Sequence, residues 1–118
     1  MGKLSTHVLD TTIGKPGQGI RLELFKISSQ DQKTLVISAI TNSDGRCDQP
    51  LLEGANFLAG EYQIEFDIGK YFEKRHQHTH ELPFLNTVVI RFGVGSGDEN
   101  YHVPLVVTPW SYSTYRGS

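Results

Sequence analysis

A single thiol, Cys47, is present in 118 residues. That excludes an internal disulfide and a thiol-rich metal site, and nothing beside Cys47 marks it as a nucleophile, so it reads as a structural residue. Charge of one sign is equally scarce: 11 Lys+Arg stand against 13 Asp+Glu, a formal net charge of −2. With no basic excess to neutralise phosphates, nucleic acid and anionic membrane are not expected as partners. No apolar run approaches the roughly 20 residues that a membrane span needs, and MGKLSTHVLD at the start has no stretch suited to a secretory signal. The last three residues are not the Ser-Lys-Leu peroxisomal address. A reducing, cytoplasmic setting is the expectation. Chain length is short as well. It rules out a doubly wound nucleotide-binding fold with a substrate domain or an eight-stranded α/β barrel. It still suffices for one domain over residues 1–118 that hides roughly two-thirds of its unfolded surface. A deep, dry pocket is hard to build in so small a body.

Long helical periodicity is missing too, and period two takes its place. From Glu61 to Ile68, Tyr62, Ile64, Phe66 and Ile68 alternate with Glu61, Gln63, Glu65 and Asp67, the mark of a strand with one face in the core and one in water. Ile20–Ile27 and Thr87–Phe92 read the same way. Leu35–Thr41 is nearly continuous in apolar character, which suits a central strand. Leu4–Asp10, Tyr101–Thr108 and a short Ser111–Tyr115 complete the set. Turn chemistry separates the runs at Gly14-Lys15-Pro16-Gly17, Ser43-Asp44-Gly45 and Gly93–Asn100. The pattern predicts an all-β, two-sheet sandwich of seven to eight strands. One short helix is expected in GKYFEKRHQ, with Tyr71, Phe72 and Arg75 on one turn and Pro83 as its stop.

Gly93, Gly95 and Gly97 imitate a phosphate-cradling loop, but that motif needs a helix after it and here a strand follows, so they read as a flexible hairpin connection. In H-Q-H-T-H, period two aims His76, His78 and His80 the same way, as a three-histidine zinc site requires; the competing and preferred reading is a polar surface loop. His102 is more informative. Along Tyr101–Val107 the apolar face is Tyr101, Val103, Leu105 and Val107, which turns His102, Pro104, Val106 and Thr108 outward. Valine and proline beside a histidine suit water poorly, so this face is expected to lie against another subunit. His7, flanked by the small hydroxyls of Ser5 and Thr6, poses the same question. Imidazole is the commonest general base near neutral pH, and a surface role is the alternative for both. Arg46 follows the Asp44-Gly45 turn, where a guanidinium held rigidly can clamp an oxygen-rich planar anion. The tail from Ser113 to Ser118 reads by default as a frayed end.

At these residues the chain resembles a known family. LSTHVLDTTIGKP near the start, TNSDGR at Thr41–Arg46, YHVPLVVTP at Tyr101–Pro109 and YSTYRGS at Tyr112–Ser118 are similar to the transthyretin-related 5-hydroxyisourate hydrolases, along the whole length. The terminal Tyr-Arg-Gly-Ser separates those enzymes from the carrier transthyretin, which shares their fold. Gly17 is a departure, since the family usually has alanine there; H-Q-H-T-H lies outside the signature. The resemblance implies a transthyretin-like sandwich assembled as a homotetramer, a dimer of dimers with sites in the channel between dimers. It implies hydrolysis of 5-hydroxyisourate to 2-oxo-4-hydroxy-4-carboxy-5-ureidoimidazoline in urate degradation, by opening a cyclic amide C–N bond with no metal or cofactor. Carried over residue by residue are His7, Arg46, His102 and the tail Tyr115–Ser118. One histidine would activate water with help from Ser118, and the other would hold substrate or deliver the proton. Arg46 would clamp substrate oxygens, Tyr115 would bind the planar ring, and Arg116 would either contact substrate or anchor the tail. Two rival classes are a non-catalytic carrier of a small aromatic ligand and an adhesion or metal-sensing sandwich using the H-Q-H-T-H stretch.

Overall fold

Alternation along Lys3–Asp10 sends Leu4, Thr6, Val8 and Asp10 into the interior and leaves Lys3, Ser5, His7 and Leu9 on the outer side. The computed structural model describes residues 1–76 and 82–117. Its elements are β1 (Lys3–Asp10), β2 (Lys15–Pro16), β3 (Arg21–Ile27), β4 (Lys33–Ile40), β5 (Leu52–Glu53), a 3₁₀ turn at Gly54–Asn56, β6 (Gly60–Asp67), α1 (Ile68–His76), β7 (Thr87–Val94), β8 (Tyr101–Val107) and β9 (Tyr112–Thr114). Seven of the strands are those the sequence pattern places, while β2 and β5 are two-residue additions that pair with the two ends of β1.

The strands form two sheets. One has the order β2-β1-β8-β9, with β5 also on β1; the other runs β4-β3-β6-β7. Between them, Leu4, Val8, Leu105 and Val107 from the first sheet meet Leu22, Leu24, Ile64, Phe66 and Val88 from the second in one continuous core. Each of these side chains is buried essentially completely, and each contributes about 1.5–3 kcal/mol by leaving water. β1 and β8 are parallel neighbours, with Ser5 opposite His102, His7 opposite Pro104 and Leu9 opposite Val106. That register puts both sequence-selected histidines on one outer face.

α1 begins at Ile68, which therefore opens the helix instead of closing the preceding strand; Asn86 accepts hydrogen bonds from the Ile68 and Gly69 backbone N–H groups at 2.9 and 2.8 Å. Tyr71 and Phe72 turn into the core. The Tyr71 hydroxyl donates to buried Asp10 Oδ2 at 2.7 Å and accepts from Arg75 Nε at 2.8 Å, fastening α1 to the end of β1.

Two expectations are corrected. The apolar run from Leu35 is an edge strand, β4, not a central one, and it exposes Leu35, Val36, Ile37 and Ile40. Continuous apolar character does not report how many neighbours a strand has. Here the ladder slips at Leu24/Phe25, leaving Val36 without a partner residue on β3, a bulge of the kind that blunts exposed edges. The glycine-rich segment after β7 is likewise no hairpin, because β7 and β8 lie in different sheets. It crosses from one sheet to the other. The Gly97 carbonyl accepts from the Gly2 N–H at 2.9 Å, and a Cβ at Gly97 would run into the Phe57 carbonyl.

Candidate active site

The parallel pairing of β1 and β8 brings the His7 and His102 rings to 6.3 Å between centroids, tilted 37°. Both are partly buried. Arg46 reaches the same place from a loop, forming an isolated antiparallel bridge with His7. The local sequence explains why. In Asn42-Ser43-Asp44-Gly45 the Asn42 side chain accepts from the Asp44 and Arg46 backbone N–H groups at 2.9 and 3.1 Å, closing an Asx turn. Gly45 then adopts φ +75 and passes so close to β1 that a Cβ would run into the Val8 carbonyl, while the Gly45 carbonyl accepts from Val8 N–H at 2.8 Å. Buried Thr41 seals the loop's root, donating to Gly17 O at 2.7 Å and accepting from Ile20 N–H at 2.9 Å. The arginine is thus carried on a turn bonded to the strand that bears His7.

An open cavity of about 520 Å³ lies here, lined by Ser5, Arg46, Cys47, Asp48, Asn100 and His102, among others. Partial burial and the Arg46 charge both disfavour imidazolium, so both rings are held below the usual imidazole pKa; His7 adds to the effect on His102. A hydrogen bond from His7 to the Asp44 backbone, together with the Asp44 charge, opposes part of the shift on His7. Near pH 7 the two rings are therefore neutral, able to accept a proton, and set beside a guanidinium that attracts oxyanions.

The tail joins the site at one point. Gly117 and His102 exchange backbone hydrogen bonds at 2.7 and 3.2 Å. This pair continues the register in which β9 sets Leu105 against Thr114 and Val107 against Tyr112. Hydrogen-bonded pairs alternate along an antiparallel ladder, so the intervening bonded pair would be Pro104 with Tyr115, and proline has no N–H to give. The gap explains why the ladder breaks and resumes. Arg116 lies 4.0 Å over the Tyr101 ring, pairs with Glu99 at 3.1 Å and donates to Asn100 O, away from the cavity. Tyr115 is exposed and lines a different, apolar cleft of about 220 Å³ between β7 and the tail. Ser118 lies outside the described residues, as do His78, His80 and the side chain of His76. Among the described residues no cluster of histidine, cysteine or carboxylate is arranged to hold a metal, and no helix is long and apolar enough to cross a membrane.

A family model described as the HIUase/Transthyretin family matches residues 4–117. The chain belongs to that family. It is 52% identical over 118 residues to the 5-hydroxyisourate hydrolase of Pseudomonas aeruginosa, a match covering 100% of this chain and 93% of the relative. Among solved structures, (S)-allantoin synthase superposes with a TM-score of 0.92 at 44% identity, covering 99% of this chain but only 44% of the longer one. Sea bream transthyretin, solved in complex with thyroxine, gives 0.85 at 25% identity, covering 98% of this chain and 94% of the other. Family membership and the two-sheet architecture agree with the sequence reading. Sequence reasoning assigned no role to Ser5 or Asn42, and it carried Gly117 over only as part of the tail Tyr115–Ser118. Asn42 was legible in the turn-forming Asn-Ser-Asp-Gly string, whereas Ser5 and Gly117 acquire meaning only through strand register.

Proposed function

We infer that this chain is a hydrolase of 5-hydroxyisourate, opening a cyclic amide C–N bond to give 2-oxo-4-hydroxy-4-carboxy-5-ureidoimidazoline in urate breakdown. The observation that carries the reading is the meeting of two neutral-leaning histidines and Arg46 on one face, beside a cavity that His102 and Arg46 line, in a chain 52% identical to a 5-hydroxyisourate hydrolase. In the proposed reaction one histidine takes a proton from water as its oxygen bonds to the amide carbonyl carbon. Negative charge builds on the carbonyl oxygen and is stabilised by Arg46. The C–N bond then breaks, and the leaving nitrogen receives the proton of the imidazolium just formed, directly or relayed through the second ring. Ser118 is assigned to water positioning. Arg116 is better placed as the anchor of the tail, since its partners are Tyr101, Glu99 and Asn100. The scheme uses no metal or cofactor.

We further propose that the working form is a homotetramer, a dimer of dimers, with the cavity completed between dimers and with Tyr115 contributing to substrate or subunit contacts there. One edge strand of each sheet, β7 and β9, flanks one apolar cleft, and Trp110, Tyr112 and Tyr115 are exposed near the β9 side, as suits pairing with a second copy. A cytoplasmic location is part of the same proposal. The carrier alternative predicts an aromatic ligand bound without turnover. Generating 5-hydroxyisourate from urate with urate oxidase and following its ultraviolet decay decides between them: the hydrolase speeds decay well beyond the spontaneous rate, and the carrier leaves it unchanged.

A further inference from the structure

One contact in the cavity belongs to neither the two-histidine scheme nor the core. The Ser5 hydroxyl lies 2.9 Å from His102 Nδ1. Ser5 is the register partner of His102 in the parallel β1–β8 pair, so the contact is built into the sheet and not into a mobile loop. Gly117 supports the same ring: a Cβ there would come 3.1 Å from His102 Cδ2 and 3.2 Å from its Cβ, tight enough to push ring or tail aside. With Nδ1 occupied by Ser5, Nε2 is the nitrogen left for the cavity that His102 lines.

The chemistry of the partner matters. A carboxylate only accepts; it would hold hydrogen on Nδ1 and stabilise the imidazolium. An ammonium only donates. A hydroxyl does either by rotating about its C–O bond, and it carries no charge. The charged or titratable groups around His102 are Arg46, His7, Lys3, Cys47 and Asp48, on β1 and the Arg46 loop, and among the described residues the partner of Nδ1 is Ser5. We propose that Ser5 is a positioning residue for His102, its hydroxyl accepting from Nδ1–H in both the neutral and the protonated ring, so that proton exchange takes place at Nε2 alone. The serine touches no reacting atom; it acts through the ring.

For its rate arm the proposal rests on the hydrolase reading. Its spectroscopic arm does not. Nitrogen-15 NMR of the His102 side chain in the full-length protein, with Ser5→Ala and Ser5→Thr beside it, reads the ring directly. The wild type and Ser5→Thr are expected to show one defined tautomer with a hydrogen-bonded Nδ1, and Ser5→Ala a mixture of tautomers. On 5-hydroxyisourate, Ser5→Ala should lose about tenfold in kcat with KM held within about twofold, the scale of one lost hydrogen bond, and Ser5→Thr should recover most of it. Loss of the defined tautomer in Ser5→Ala supports the proposal even if the wild-type protein leaves 5-hydroxyisourate decay unchanged, an outcome that refutes only the hydrolase reading. An unchanged His102 spectrum in Ser5→Ala overturns the proposal, as does a Ser5→Thr variant that matches Ser5→Ala in both spectrum and kcat.

Discussion

The outer faces of the two sheets are made of the same kind of material and put to opposite ends. On the β4-β3-β6-β7 sheet, polar side chains satisfy one another: Lys33 pairs with Glu65 at 2.8 Å, Gln63 donates to Glu65 at 2.8 Å, and Arg91 reaches both Gln63 and Asp31. Phe25 lies beneath Lys33, almost fully buried. Lys33, Glu65, Arg91 and Asp31 each have a partner of opposite charge within the chain. On the β1–β8 face neither ring forms an ion pair with a carboxylate among the described residues, although the Asp44 charge lies near His7; Ser5 and backbone groups hold them, and partial burial together with Arg46 favours their neutral forms. A face whose polar groups are paired is finished, and one whose groups are positioned but unspent is available to a substrate.

Substitutions on the two faces should therefore separate cleanly. Replacing His7 or His102 with asparagine is expected to lower turnover of 5-hydroxyisourate by about 10²–10⁴-fold while the thermal midpoint stays near that of the wild type. Arg46→Gln should cost about 10²-fold, the scale of removing one oxyanion-stabilising group. It should also move the acid limb of the pH–rate profile. Partial burial and, after it, Arg46 hold both imidazoles below their ordinary value, so in the wild type the limb lies below about pH 6.5, and removing the charge shifts it upward. Gly45→Ala tests the scaffold beneath the site. Its positive φ and the Val8 carbonyl leave no room for a methyl group, and the variant should lose about 1–3 kcal/mol in denaturant unfolding, with activity falling alongside. The smallest effect belongs to the other face: Glu65→Gln should cost at most about 1 kcal/mol, because its pair with Lys33 is half in water, and turnover should not change.

The strands were legible because hydrophobic patterning is a local property, and seven of them fall where that pattern places them. Sheet position was not legible. β4 carries as much apolar character as a central strand, yet ends at an edge, since neighbours are chosen by long-range pairing. The outward face of β8 could be read from one strand, and His102 with it. What brings His7, Arg46 and the tail to that face is the parallel register of β1 on β8, the docking of the Asn42–Gly45 turn on Val8 of β1 and the resumed ladder at Gly117, none of which is written in residue spacing. The tail shows the same limit in reverse. A frayed end is the default for a polar terminus, yet Gly117 is bonded to His102 and Arg116 is stacked on Tyr101.

The central claim is that the β1–β8 face, and not the fold as such, carries the chemistry. The initial rate of 5-hydroxyisourate loss, compared between wild type, His102→Asn and Glu65→Gln at one pH and equal protein concentration, tests it most directly. The account predicts strong acceleration by the wild type and by Glu65→Gln, with a loss of at least about 10²-fold in His102→Asn. Equal rates for His102→Asn and the wild type would contradict it.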